Sequence, residues 1–128
     1  MAVRTAPVSP TRVIDGDTFV GTLHLWDHPK VDLVDTRFRL DGINCPEMRD
    51  KITGARVPEG LAAQDFVARW LVDENGDWLP VTVASRGLDN YGRTLAVVTA
   101  KGREISLNGA LLAAGHAEVM KMLVAEPA

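Results

Sequence analysis

Two aspartates flank a glycine in Val13-Ile14-Asp15-Gly16-Asp17-Thr18-Phe19, a stretch whose ends are apolar. Oxygen ligands converging from such a bend suit a hard cation. The same pattern also makes an ordinary Asp-Gly hairpin turn. A second cluster is Arg37-Phe38-Arg39-Leu40-Asp41-Gly42-Ile43-Asn44-Cys45-Pro46-Glu47. The two-residue period of a strand puts Arg37, Arg39 and Asp41 on one face, with Asn44 and Glu47 in the loop beyond. Guanidinium groups, oxygen ligands and a carboxylate just past a strand end suit binding and hydrolysis of a phosphate ester. A solvated salt-bridge face has the same composition. The third cluster, Asp89-Asn90-Tyr91-Gly92-Arg93-Thr94-Leu95-Ala96, is a tight turn presenting an arginine at the start of a strand. It can serve as a phosphate clamp with a base-stacking tyrosine, or be a turn with an exposed arginine.

Other candidates fall away on spacing. His24 and His28 are four apart, but a metal pair at that spacing needs a helix, and His28-Pro29 reads as a turn. Asp73, Asn75 and Asp77 imitate the start of a calcium loop, yet Trp78 and Ala84 stand where glycine and glutamate are required. His116, just past a helix end, suits capping. No nucleophile elbow, P-loop or dinucleotide fingerprint is present.

Several elements must position the three clusters. Residues 1–11 read as a loose arm. From Val13 the chain alternates, with Phe19, Leu23 and Leu25 on one face and Thr22, His24 and Trp26 on the other. Asp27-His28-Pro29-Lys30 turns the chain, and Val34–Leu40 returns as a strand in an extended hairpin. Asp41–Pro58 is mostly loop. Ala63, Phe66, Val67, Trp70 and Leu71 repeat at helical spacing, a pattern ended by Asn75-Gly76. Leu79, Val81 and Val83 alternate as a strand, with Pro80 at its start or at a sheet edge. Thr94–Ala100 is another strand, closed by Lys101-Gly102. Ser106 can N-cap a short helix with Leu107, Ala110, Leu111 and Ala114 inward and Gly115 just past its end. The order β-β-β-α-β-β-α predicts an α+β, mainly β fold. It is an OB-fold five-stranded barrel packed against one long and one short helix.

With 128 residues, the chain is one domain's worth, and 46% hydrophobic against 24% charged residues excludes disorder, collagen and coiled coil. The domain expected is 12–123, followed by a tail at 124–128. Cys45 is the sole cysteine, so an intrachain disulfide and a multi-cysteine zinc site are excluded. The uncharged run Ile105–Ala117 is too short to span a bilayer. The first residues lack the apolar core of a signal peptide, so a cytoplasmic monomer without membrane attachment is expected. Net charge is −3, so phosphate binding must rest on a few placed arginines rather than on a basic surface.

Together, and in this order with a helix between the second and third, the clusters resemble the staphylococcal nuclease-like (thermonuclease) family. The resemblance runs from about Val13 to Ala117 and rests on Val13–Thr18, Arg39–Glu47, Tyr91–Ala96 and Leu107–Gly115. It implies an OB-fold, calcium-dependent enzyme that cleaves DNA and RNA phosphodiesters at the P–O5′ bond and leaves 3′-phosphates. By matching position, Asp17 would be a carboxylate ligand of Ca2+ and the backbone carbonyl of Cys45 another. Asn44 stands where the family usually has an aspartate ligand, and Asp15 is a further carboxylate beside these. Arg39 and Arg93 would hold the scissile phosphate, and Glu47 would act on the attacking water. Tyr91 and Leu95 match base-pocket positions, whereas Met120-Lys121-Met122-Leu123 lacks the aromatics of the family's type member. The neutral Asn44 favours an alternative, a non-catalytic nucleic-acid-binding module that has lost its metal site.

Overall fold

Alternating apolar residues resolve into five strands that close on themselves in the computed structural model, which describes residues 3–120. The elements are β1 (Arg4–Asp15), β2 (Thr18–Asp27), β3 (Lys30–Leu40), β4 (Ile43–Asn44), α1 (Pro58–Trp70), β5 (Val81–Leu88), β6 (Thr94–Thr99), α2 (Leu107–Ala113) and β7 (Glu118–Val119). The barrel runs β1-β2-β3-β6-β5, and β5 closes it by pairing with β1. β3 and β6 are parallel, and the other barrel pairs are antiparallel. This is the expected OB-type barrel with one longer and one short helix. β4 and β7 pair separately.

Phe19 and Phe38 face each other across β2 and β3 and stack with ring centroids 5.0 Å apart. Val67 and Leu71 in and after α1, and Leu107 and Leu111 from α2, are buried in the same core. Each such side chain contributes about 1.5–3 kcal/mol by leaving water. α1 begins at Pro58, whose fixed φ and missing N–H suit a first helical position. It ends at Trp70, before Asn75-Gly76, because the next residues fold back on themselves. Leu79 N–H donates to the Leu71 carbonyl at 2.8 Å, and Asp73 Oδ1 accepts from Asn75 and Asp77 N–H at 2.8 and 3.0 Å. Arg103 closes the helix end by donating to the carbonyls of Trp70 and Val72 at 3.0 and 2.9 Å.

The loose arm is corrected. Residues 4–11 are the first part of β1, and Val8 pairs with both Leu23 of β2 and Val81 of β5. Pro7 and Pro10 hide this strand from an alternation count, yet Pro10 itself is buried. The barrel therefore starts at Arg4 rather than at 12; the expected tail at 124–128 lies outside the described residues. The hairpin of β2 and β3 extends to Asp27 and Lys30, as the length of that stretch required. Ser106 caps α2 by accepting from Gly109 N–H at 3.0 Å. Ala114 is exposed, and the remaining inward place belongs to Asn108. Its amide joins β6 to the turn after β3, donating to the Asp41 and Ala96 carbonyls at 3.0 and 2.9 Å and accepting from Val98 N–H at 3.1 Å.

Candidate active site

Asp15 and Asp17 sit at the tight turn that joins β1 to β2, where Asp15 pairs with Thr18. The turn and the carboxylate pair are one structure, with Asp17 N–H donating to Asp15 Oδ1 at 3.1 Å. The turn rests on α1 and on the loop after β4. A Cβ added at Gly16 would lie 2.7 Å from Ala63 Cβ and 2.9 Å from Cys45 Cβ, so the close approach requires glycine.

Arg39, near the end of β3, is only 7% exposed. One guanidinium nitrogen donates to the Leu40 carbonyl at 2.6 Å, and the other donates to Asn44 Oδ1 at 2.6 Å and lies 3.5 Å from Asp17 Oδ2. Asp17 Oδ2 also accepts from Cys45 N–H at 3.0 Å, which locks the loop to the β1–β2 turn. Glu47 follows in that loop. Its backbone packs on Gly60 of α1, where a Cβ would collide with the Glu47 carbonyl, while its carboxylate is exposed and 3.2 Å from Lys51 Nζ. Arg93 enters from the turn between β5 and β6. Asp89 accepts from Arg93 Nε at 2.7 Å and from the N–H groups of Tyr91 and Arg93, so one aspartate shapes the turn and aims the guanidinium. Tyr91 is 84% exposed, with the Arg93 guanidinium carbon 5.3 Å from its ring centroid. Leu95 is half-buried on β6, paired with Arg39 across the parallel strands.

Asp15, Asp17, Arg39, Asn44, Cys45, Glu47 and Arg93 line one cavity of about 390 Å³. Tyr91, Arg93 and Arg37 line an adjoining one of about 460 Å³, and Leu95 is not among the residues lining either cavity. Asp41 leaves the face of Arg39, because Arg86 holds it through two bonds of 2.7 and 3.0 Å. The partners that hold these side chains were not among the residues singled out from the sequence. Asp89 lies four residues before Arg93, a spacing that could have signalled the pair; Gly60 carried no local signal.

A family model described as staphylococcal nuclease homologue matches residues 37–127. The chain belongs to this family. No curated protein matches it. The span matched to the staphylococcal nuclease homologues includes Arg39, Asn44, Cys45, Glu47, Tyr91, Arg93 and Leu95. Asp15 and Asp17 precede it and join through the β1–β2 turn.

This family is typically calcium-dependent, and the donors in the cavity are oxygen, as a hard cation prefers. Two carboxylates, Asp15 and Asp17, sit side by side, with the Asn44 amide oxygen on the same wall. Among the described residues, no three His, Cys, Asp or Glu side chains gather to hold a metal. A calcium ion here would need amide and backbone oxygens as well as carboxylates. Burial, then Asp17 and Asp15 nearby, push the Cys45 thiol up to about 12, so its side chain stays protonated.

Asp15 is pushed up to about 6, first by burial and then by its hydrogen bond with Asp17 and the charge there. A carboxyl raised above its ordinary 3.8 binds its proton more tightly in the folded state. Its contribution to stability is therefore full below about 3.8 and is lost as pH rises through about 6. In chelator, the melting temperature of the native chain should fall relative to Asp15→Asn between about pH 4 and pH 7. A difference that stays flat across that window would contradict this electrostatic account.

Proposed function

We infer that the chain is a calcium-dependent nuclease that hydrolyses phosphodiester bonds of DNA and/or RNA, cleaving P–O5′ and leaving 3′-phosphates. The observation that carries this reading is the convergence of two carboxylates, two arginines and Glu47 on one cavity. Asp17, Asn44 and the Cys45 carbonyl would hold calcium, which when bound polarises a phosphoryl oxygen and orients water. Arg39 and Arg93 supply planar donors for the phosphate oxygens as charge builds on them. Glu47 takes the proton of the attacking water through a carboxylate that is exposed and paired with Lys51. Exposed Tyr91 offers a face on which an unpaired base can stack, worth about 1–3 kcal/mol. Accessible, single-stranded or breathing nucleic acid is the substrate this favours. Plasmid digestion with added calcium tests the reading. Cleavage abolished by chelator supports it, and none under any divalent ion overturns it.

Asn44 favours a second reading, a nucleic-acid-binding module without catalysis, because its neutral oxygen already accepts from Arg39. The two separate at that residue. Asn44→Asp restores an anionic oxygen, and calcium affinity follows the count of charged ligands. Titration calorimetry should show binding tightened by about tenfold. Equal or weaker binding would mean that Asn44 is not a ligand.

A further inference from the structure

Away from the phosphodiester cavity, three neighbouring strands bring together a serine, a histidine and an aspartate. Ser9 Oγ on β1 lies 2.7 Å from His24 Nε2 on β2, and His24 Nδ1 lies 2.8 Å from Asp32 Oδ1 on β3. The hydrogen bond from His24 holds the Asp32 carboxyl below the usual range, so it is ionised at neutral pH. A carboxylate at Nδ1 keeps the proton on that nitrogen. Nε2 is then an acceptor, and the Ser9 hydroxyl donates to it. These are the relations of nucleophile, base and orienting carboxylate, which are recognised by geometry and not by position in sequence.

The strands are shaped around this set. Register shifts in the β2–β3 ladder fall between Gly21 and Leu23 and again between His24 and Trp26, bracketing the histidine. Asp35, opposite the first shift, has a φ of 53°, strained for a residue with a side chain. Such bulges re-aim side chains on a sheet. Gly21 lets β1 approach β2 here, since a Cβ would meet the Ser9 carbonyl oxygen at 2.8 Å. Val8 is buried, so alternation turns Ser9 to the other face of the sheet. His24 and Asp32 keep 29% and 22% of their side-chain surface exposed, and Ser9 is half-buried.

We propose that Ser9 is a nucleophile, activated by His24 and Asp32, that accepts acyl groups from short-chain esters with a good leaving group, such as a nitrophenolate. Ser9 Oγ bonds to the ester carbonyl carbon as its proton passes to His24 Nε2. The tetrahedral adduct then collapses with cleavage of the bond to the leaving oxygen, which takes that proton from Nε2. Water repeats the sequence on the Ser9 ester and releases the carboxylic acid. Ser9 lies about 20 Å along β1 from Asp15, so this site and the phosphodiester cavity are separate.

The test uses the intact chain and p-nitrophenyl acetate, with nitrophenol release followed and the acetyl group mapped by peptide mass spectrometry. The expected result is acetyl on Ser9, with acylation slowed about 10²–10⁴-fold in His24→Gln. Ser9→Ala should lose the adduct and keep calcium-dependent DNA cleavage. The mapping in the native chain needs no variant and so does not depend on how one folds. Absence of acetyl at Ser9, or acylation at an undiminished rate in His24→Gln, would overturn the proposal and leave the three residues as a cross-strand tie.

Discussion

Glu47→Gln is expected to lower nuclease turnover about 10²–10⁴-fold while leaving the fold in place. The amide has the shape of the carboxylate and cannot take a proton from water. Little else should change, because the loop is fixed through its backbone. Glu47 packs its carbonyl against Gly60, and Val57 N–H donates to the Met48 carbonyl at 2.9 Å. The partner Lys51 is exposed, and such a pair contributes little to stability. Stability by urea denaturation should stay within about 0.5 kcal/mol of the native chain. Turnover within a few-fold of the native value would remove Glu47 from the chemistry.

Arg39→Lys carries the second large effect, on rate and stability together. The guanidinium serves the Leu40 carbonyl, Asn44 Oδ1 and Asp17 at once, from a buried position. An ammonium is a point charge and cannot span these partners and also present a flat pair of donors to a phosphate. One lost transition-state donor costs about 10²–10³ in rate. A buried oxygen left without its donor costs about 1–3 kcal/mol more. Arg93→Lys should show a comparable rate loss with less loss of stability, since Arg93 is more exposed and Asp89 holds the turn through backbone N–H groups as well. Single-turnover rates and urea denaturation of both variants separate the two effects. Full activity in both would place phosphate binding elsewhere.

Legibility in the sequence followed the distance over which each residue acts. α1 and the capped α2 were readable because their signals lie within a turn or two, as in Ser106 and Gly109. The C-terminal end of α1 was not, because its stop depends on Leu71 meeting Leu79 across a turn. β1 was half-hidden because Pro7 and Pro10 break the alternation that betrays a strand, while its pairing to β5 is long-range. Arg39, Glu47 and Arg93 could be singled out by type. What orients them could not, apart from Asp89, because Asn108, Gly60 and Gly16 act through contacts distant in sequence. Ser9, His24 and Asp32 form no motif at all. Only the pairing of three strands and the bulges beside His24 bring them together.

The central claim is tested most directly by the ends left on a single-stranded DNA oligonucleotide. The native chain with calcium should yield fragments bearing 3′-phosphates, and chelator or Glu47→Gln should abolish or nearly abolish them. Fragments bearing 3′-hydroxyls, or cleavage indifferent to both chelator and Glu47→Gln, would contradict the account.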